Sequence, residues 1–319
     1  MGQLVDGVWH QETLEIRAKD GRFVRADTQF RDRISADGAS GYKAEAGRYH
    51  LYISLACPWA HRTLIFRRLK GLEEAISLSV VDPFMADQGW AFGDSEGCIA
   101  DPLFAAGHMH EIYTHAQGDY SGRVTVPVLW DRERATIVNN ESAEIIRMMN
   151  SEFAALAPET VDYCPEDLRD EIDAVNERVY TDINNGVYRC GFAATQQAYD
   201  EACEQLFAAL DWVESRLTTR RYLCGGRLSE ADWRLFTTLV RFDCVYFGHF
   251  KCNIRRISDY PCLSNYLREL YQIPGIAGLC NFRHIKEHYY RSHESINPIR
   301  IVPKGPAMDL LQAHDRDRL

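Results

Sequence analysis

This sequence of 319 residues lacks the features that would assign it to a membrane, secreted or nucleic-acid-binding class. Its longest apolar runs are far shorter than a membrane span, and its N-terminus has no apolar core of a signal peptide. Acidic residues outnumber basic ones by 46 to 36, and the resulting net charge of −10 argues against a general nucleic-acid binder. We therefore expect a soluble globular protein with room for two domains.

The chain has ten cysteines but no Cys-x-x-Cys pair among them. Scattered cysteines in a chain of this size are typical of free thiols in a reducing compartment, so we expect a cytoplasmic protein. Cys203 and Cys244 lie within helical apolar patterns and are expected to be small buried side chains.

Cys57 lies between a predicted strand and a predicted helix. Residues 48–54 alternate apolar and polar side chains, which predicts a half-buried strand, and Pro58 opens a helix that Gly71 ends. Cys57 therefore faces the first N–H groups and the positive end of the helix dipole, which favour the nucleophilic thiolate. Because residue 60 is alanine, a second thiol must resolve any Cys57 disulfide, most simply a small thiol such as glutathione.

Further strands and helices of an α/β fold follow this helix. Residues 75–81 predict a second strand, and residues 124–130 and 136–138 predict a hairpin. A long insert over about residues 84–122 separates them and predicts one helix near 103–115.

Two features of this hairpin region indicate a ligand site. Pro127 conflicts with a strand because proline cannot donate to the ladder, and a cis Val126–Pro127 bond beside the cysteine loop resolves the conflict. This arrangement leaves the Val126 backbone to pair with a ligand. Glu141 and Ser142 open a helix over 143–149, where free N–H groups and a hydroxyl form an anion site or serve as ordinary caps.

From Pro165 onward the apolar pattern is wholly helical, and Ser229 with Asp232 predicts an N-terminal capping arrangement. His284 and His288 lie four apart, a spacing that can bind zinc, but no third ligand is evident and we expect a solvent-facing surface without metal. The predicted segments are an N-terminal extension, partly ordered at best, over residues 1–44, a thioredoxin-like α/β domain over 45–155, an all-helical domain over 160–292 and an extended tail over 293–319.

Together these features resemble the cytosolic glutathione transferases, with this α/β plus all-α architecture. The finer resemblance is to the glutathionyl-hydroquinone reductases, the Xi class, over about residues 5–300. The segments that carry it are Cys57-Pro-Trp-Ala-His-Arg62, Gly89-Trp-Ala-Phe92, Arg123-Val-Thr-Val-Pro127, Asn139-Asn-Glu-Ser142, Asn184-Asn-Gly-Val-Tyr188, residues 241–253 and His284-Ile-Lys-Glu-His-Tyr-Tyr290.

The resemblance implies a reaction in which glutathionyl-hydroquinones are reduced to hydroquinones. Cys57 would form a mixed disulfide with the substrate's glutathione, and a second glutathione would resolve it and leave as oxidised glutathione. Glutathione is then a co-substrate, no cofactor, metal or nucleotide is permanently bound, and a homodimer is expected. The implied site residues are Cys57, Tyr188 and Tyr289 for catalysis, Trp90, Arg123, Val126, Glu141 and Ser142 for glutathione, and Tyr246 and Tyr290 for the hydroquinone pocket.

Three alternatives share parts of this pattern. An omega-like thioltransferase or dehydroascorbate reductase would use Cys57 without the tyrosines. A reductive dehalogenase of chlorinated hydroquinones would pass through the same mixed disulfide. A non-catalytic scaffold could keep the fold alone, although the intact Cys57 box and the Glu141-Ser142 pair speak against it.

Overall fold

The computed structural model describes residues 2–11, 18–24 and 27–319, which form two compact units. The first unit contains the described residues of Met1–Leu14, Ala26–Val161 and Asn281–Ser292. The second contains those of Glu15–Arg25, Asp162–Cys280 and His293–Leu319. Each predicted domain was one continuous range, whereas each unit combines several separate ranges. The units therefore do not correspond one to one with the predicted domains, whose limits stay predictions.

The first unit is an α/β structure built on a mixed sheet. Its strands are β1 (Gln3–Val5), β2 (Val8–His10), β3 (Tyr49–Ile53), β4 (Ile76–Val80), β5 (Val128–Asp131) and β6 (Thr136–Asn139). Its helices are α1 (Pro58–Leu69), α2 (Met109–Ala116), α3 (Ser142–Ser151) and α9 (Phe282–Ser292). The strand order is β4-β3-β5-β6, in which β3 and β4 run parallel and the other pairs run antiparallel. A parallel pair needs a crossover connection, and α1 supplies it.

Strand β3, which leads to Cys57, is buried along its whole length rather than half-buried as predicted. It is a central strand, and its alternating polar residues find partners inside the unit. His50 lies 2.6 Å from the Ser77 hydroxyl and 2.9 Å from that of Ser79, and Tyr52 donates to Asp101. Burial lowers the pKa of His50 to about 4, so the ring is neutral at pH 7.

Two predicted elements begin later than the sequence pattern indicated. Strand β5 begins at Val128 instead of residue 124, after the proline that cannot donate to the ladder. Helix α2 begins at Met109 instead of residue 103. The Asp101 carboxylate accepts hydrogen bonds from three backbone N–H groups between residues 103 and 106, which holds these residues in a turn ahead of the helix.

The N-terminal segment is more closely bound to the first unit than the sequence predicted. Strands β1 and β2 form a hairpin, and Leu4 exchanges two backbone hydrogen bonds with Gly122. Asn140 donates its backbone N–H to Phe30, and Ile34 is buried. The prediction of partial order also covered residues 1, 12–17 and 25–26, which lie outside the described residues.

The second unit is wholly helical in its regular structure, as predicted. Its helices are α4 (Arg169–Arg178), α5 (Gly186–Phe192), α6 (Gln196–Arg216), α7 (Glu230–Arg241) and α8 (Pro261–Gln272). Two π-helical segments, Val179–Asn184 and Phe242–Tyr246, follow α4 and α7 directly. Such segments are rare and recur at functional sites. In the part of the chain described, no helix is long and apolar enough to cross a membrane.

The predicted cap and the tail both stabilise this unit. Ser229 precedes α7 in a capping box with Asp232, which confirms the prediction. The Arg316 guanidinium, buried near the end of the tail, donates to the carbonyls of Leu217 and Arg221, so the tail closes the C-terminal end of α6. All ten cysteines are free, and Cys203 and Cys244 are buried as predicted.

Candidate active site

The Cys57 sulfur lies at the N-terminus of α1, where the sequence predicted it. Cys57 has extended backbone angles, Pro58 occupies the first helical position, and Ala60 donates its N–H to Sγ at 3.5 Å. Only 9% of the residue is exposed. The helix start therefore presents an N–H group and its positive dipole end to the sulfur, both of which stabilise a thiolate.

The Val126–Pro127 bond is cis, as predicted, and it lies beside Cys57. The Cys57 thiol donates to the Val126 carbonyl at 3.5 Å. Val126 is buried, and Val128 begins strand β5 two residues later. The sulfur thus accepts a hydrogen bond from its own helix and donates one to this segment. Loss of the thiol proton removes the hydrogen bond to the Val126 carbonyl and strengthens the one from the Ala60 N–H.

Glu141 and Ser142 form the start of helix α3. The Glu141 carboxylate accepts from the Ala143 N–H at 3.1 Å and from the Ser142 hydroxyl at 3.5 Å. Ser142 is buried and is the first helical residue, one position earlier than predicted. This helix start combines a carboxylate, a hydroxyl and backbone N–H groups, so it can bind an ammonium and a carboxylate of one zwitterionic ligand.

Asn139 and Asn140 shape this helix start, a role that the sequence did not reveal. The Asn139 side chain accepts from the Glu141 N–H at 2.7 Å and donates to Glu144, whose pKa is lowered by its hydrogen bonds with Arg31. The Asn140 amide donates to the Tyr113 hydroxyl.

The Tyr113 hydroxyl connects this turn to the segment before Pro127. It donates to the Thr125 carbonyl at 2.9 Å and accepts from the Thr125 N–H. Burial raises the pKa of Tyr113, so the hydroxyl stays protonated and keeps both roles. Asn140, Tyr113 and Thr125 therefore hold the Glu141 turn and the Val126 segment in one hydrogen-bonded chain.

Arg62 is a further residue whose role the sequence did not reveal. Its guanidinium is buried, lies 4.5 Å from the centre of the Trp59 ring, and has Nη1 3.4 Å from the Ser142 hydroxyl. It therefore joins the helix starts of α1 and α3. The only indication in the sequence was that Arg62 is the fifth residue after Cys57, at the end of the segment Cys57-Pro-Trp-Ala-His-Arg62.

Trp90 is part of the first unit, and a histidine of α9 covers its ring. The Trp90 and His288 rings stack with centres 4.7 Å apart. His288 Nδ1 lies 3.0 Å from the Pro83 carbonyl, and His284 Nε2 lies 2.7 Å from that of Glu96. The predicted solvent-facing surface is therefore wrong: both histidines are buried and bind the backbone of the insert that carries Trp90.

The remaining site residues of the first unit are Arg123, Tyr289 and Tyr290. Arg123 is half-buried, and Tyr120 donates to its carbonyl at 3.1 Å. Tyr289 is buried on α9, with its ring edge-on to His288 at 5.2 Å, and Tyr290 is half-buried. The unit thus contains Cys57, all five predicted glutathione residues and two of the four predicted tyrosines.

Tyr188 and Tyr246 belong to an aromatic cluster of the second unit. Their ring centres are 6.2 Å apart, and both rings contact Phe250. Tyr188 follows the first π-helical segment, in which the Asn184 amide donates to the Thr238 hydroxyl of α7. Tyr246 ends the second π-helical segment and is buried, whereas Tyr188 is half-buried.

Comparison with known proteins gives a consistent result over the whole chain. The family models for the glutathione S-transferase N-terminal and C-terminal domains match residues 56–152 and 196–269. Glutathionyl-hydroquinone reductase YqjG of Escherichia coli is 53% identical, covering 99% of both chains, and glutathionyl-hydroquinone reductase PcpF of Sphingobium chlorophenolicum is 52% identical, covering 97% of this chain and 98% of its own.

Solved structures give the same result. The Xi-class glutathione transferase of Natrialba magadii superposes with a TM-score of 0.95 at 50% identity, covering 100% of this chain and 97% of its own. Glutathione-bound YqjG superposes with a TM-score of 0.92, covering 99% of both chains. These matches confirm the predicted thioredoxin-like and all-helical architecture.

Proposed function

Because this chain belongs to the glutathione transferase family, in its Xi class of glutathionyl-hydroquinone reductases, we propose that it reduces glutathionyl-hydroquinones to hydroquinones with glutathione as co-substrate. The observation that carries the proposal is the single thiol at the start of α1, with the Ala60 N–H and the Val126 carbonyl each 3.5 Å from Sγ. A lone thiol at a helix start is suited to thiol–disulfide chemistry with a second, external thiol.

The reaction has two steps. The Cys57 thiolate attacks the sulfur of the glutathionyl group, so that an S–S bond forms while the bond from sulfur to the aromatic carbon breaks. The ring carbon keeps the electron pair and takes a proton, which yields the hydroquinone. A second glutathione thiolate then attacks the mixed disulfide, releases oxidised glutathione and restores Cys57.

Glutathione is assigned to the first unit. We propose that Glu141 and Ser142 bind the γ-glutamyl end, since their helix start offers a carboxylate and N–H donors. The Val126 backbone beside the sulfur pairs with the cysteinyl residue. Arg123 binds the glycyl carboxylate, and the ring of Trp90, fixed by its stack on His288, forms a wall of the site.

Proton delivery to the ring carbon is assigned to phenolic hydroxyls. The resemblance points to Tyr188 and Tyr289, and of these Tyr289 lies in the same unit as Cys57. Tyr246 and Tyr290 are assigned to the hydroquinone pocket. We expect Tyr188→Phe and Tyr289→Phe to lower kcat, with Tyr199→Phe as a matched control because the Tyr199 hydroxyl donates to the Lys251 carbonyl and has no proposed role.

The deciding experiment uses glutathionyl-menadiol with excess glutathione. Hydroquinone release is followed for the wild type and for Cys57→Ala, and mass spectrometry without the second glutathione detects the Cys57–glutathione disulfide. Rapid release that disappears in the variant, together with the added mass, is the expected result. Dehydroascorbate reduction without hydroquinone release would instead establish an omega-like thioltransferase, and inactivity on both substrates would favour a scaffold.

Three further proposals concern the protein's location, assembly and cofactor content. The ten free cysteines support a reducing, cytoplasmic location, and we propose a homodimer as the assembled form, with no permanently bound cofactor. Light scattering coupled to gel filtration measures the assembly directly. A mass near 36.6 kDa at micromolar concentration would contradict the dimer.

A further inference from the structure

Three metal-ligating side chains lie together at the start of α2 in the first unit. His108 precedes the helix, and His110 and Glu111 lie in its first turn. One ligand atom of each lies within 4.8 Å of the other two. Among the described ranges 2–11, 18–24 and 27–319, no other group of three His, Cys, Asp or Glu side chains meets this distance. The proposed reaction assigns no role to any of these three residues.

The local backbone explains how two histidines separated by one residue come together. Residues two apart in a regular helix point to different faces. His108 is instead extended, with φ −142° and ψ 153°, and its ring lies parallel to that of His110 within 4°, with centres 5.2 Å apart. The spacing His-x-His-Glu therefore becomes a cluster only because the helix begins between the two histidines.

The distances and the ligand types suit zinc. Zn²⁺ binds imidazole nitrogen and carboxylate oxygen at roughly 2.0–2.2 Å in tetrahedral geometry, which places neighbouring ligand atoms about 3.3 Å apart. His108 Nδ1 and Glu111 Oε1 already lie 3.2 Å apart. His108, His110 and Glu111 are all half-exposed, so the remaining distances can close by rotation of the side chains. We propose that His108, His110 and Glu111 bind a Zn²⁺ ion, with water as the fourth ligand.

Neighbouring groups orient the three ligand side chains, as hydrogen-bonding partners do in known protein metal sites. The Trp9 ring stacks on His110 with centres 4.9 Å apart, and the Gln88 amide oxygen lies 3.1 Å from His110 Nε2. The Glu111 carboxylate also accepts from the His108 N–H at 2.9 Å, which fixes it beside the His108 ring. Such partners restrict the rings and raise metal affinity. The negative charge of Glu111 also offsets the positive end of α2, which would otherwise repel a cation.

The test uses full-length, tag-free protein stripped of metal with a chelator. Calorimetric titration with ZnCl₂ measures affinity for the wild type, His110→Gln and Glu111→Gln, with His115→Gln as the matched control. His115 is an exposed histidine on the same helix that stacks on Phe104, outside the cluster. We expect one zinc per chain, with affinity lowered roughly 10–100-fold in each ligand variant and unchanged in the control. At a fixed zinc concentration, the metal should also raise the melting temperature of the wild type and the control more than that of the ligand variants.

The absorption spectrum of bound Co²⁺ distinguishes binding at this cluster from binding at the Cys57 thiol. Co²⁺ bound to nitrogen and oxygen gives visible ligand-field bands without a sulfur charge-transfer band, whereas binding at Cys57 would give the latter. Glu111→Gln keeps an oxygen acceptor for the His108 N–H, so it tests the ligand without removing the helix cap. Equal zinc affinity in the wild type and both ligand variants, an equal loss in His115→Gln, or a sulfur band with cobalt would each overturn the proposal.

Discussion

Helices α1 and α7 each begin with a side chain that accepts a hydrogen bond from a backbone N–H, but the two side chains serve different purposes. At α7, the first-turn Asp232 carboxylate accepts from the N–H and hydroxyl of Ser229, the Leu223 N–H and the Tyr266 hydroxyl, all within 2.7–2.9 Å. At α1, the capping side chain is that of Cys57, whose sulfur accepts from the Ala60 N–H at 3.5 Å. A sulfur is a weak acceptor, so this start gives little stability.

The difference separates structural from chemical use of a helix N-terminus. Four short hydrogen bonds to a buried carboxylate leave α7 with a satisfied, inert start. A long contact to sulfur leaves the dipole and the N–H group of α1 available to stabilise charge on that sulfur. We therefore expect substitutions at the start of α1 to change the chemistry and substitutions at the start of α7 to change the stability.

The largest effect is expected for Cys57→Ser. Serine is a better N-cap than cysteine, so the free energy of unfolding should be unchanged or rise by up to about 1 kcal/mol. The hydroxyl is not a nucleophile toward a glutathionyl sulfur, so hydroquinone release should fall by at least about a thousandfold. Urea titration and glutathionyl-menadiol turnover measure the two quantities on one preparation. An active Cys57→Ser protein would show that Cys57 is only a cap.

The second prediction concerns Asp232→Ala. It removes the acceptor of four buried donors, and the free energy of unfolding should fall by about 3–4 kcal/mol. Asp232→Asn keeps one acceptor oxygen and should lose about half as much. The urea midpoint measures both changes, while kcat/KM of the folded protein stays near the wild-type value. A large loss of kcat/KM in a fully folded Asp232→Asn protein would erase the distinction between the two helix starts.

The third prediction tests a buried structural side chain, His50 on β3, the strand that leads to Cys57. Its pKa is about 4 in the folded protein, against about 6.5 in the unfolded chain. Between these values the unfolded state binds the extra proton, so stability falls as the pH drops from 6.5 to 4, by about 3 kcal/mol from this residue. His50→Gln should remove that part of the acid sensitivity. Urea midpoints at pH 7 and pH 4.5 compare the two proteins, and equal shifts would contradict the assignment.

Features set by local chemistry could be predicted from the sequence. The helix after Pro58, the cis bond before Pro127 and the Ser229 cap follow from proline, backbone donors and short polar side chains. The burial of His50 could not be predicted, because its partners Ser77 and Ser79 lie on another strand. The same holds for Arg62, whose partner Ser142 lies eighty residues away.

Site geometry was predicted least well where a residue acts through a distant backbone. His284 and His288 gave the spacing of a zinc site, yet each binds a carbonyl of the insert. In the cluster of His108, His110 and Glu111, the two histidines lie only two residues apart, which is no helical spacing, and the bend at the start of α2 brings their rings together. A periodic pattern reports on one regular element, whereas the first feature depends on contacts with a distant segment and the second on where a helix begins.

The smallest effect is expected for Glu141→Gln. This residue lies at a third helix start, that of α3, which combines the structural role seen at α7 with the chemical role seen at α1. The Glu141 carboxylate caps α3 through the Ala143 N–H, and it is the proposed partner of the γ-glutamyl ammonium. Glutamine keeps a carbonyl oxygen for the cap but loses the charge, so KM for glutathione should rise about tenfold, or about 1.4 kcal/mol, with little change in the urea midpoint.

Asp232→Asn is the matched control for this change, because it makes the same isosteric replacement at a helix start to which no substrate contact is assigned. Steady-state rates at varied glutathione and urea titrations should give opposite results for the two variants: a raised KM with normal stability for Glu141→Gln, and lowered stability with a normal KM for Asp232→Asn. An unchanged KM for glutathione in Glu141→Gln would show that the γ-glutamyl end does not bind at the start of α3. Because the cap and the ammonium use one carboxylate, only a replacement that keeps the oxygen and removes the charge separates them.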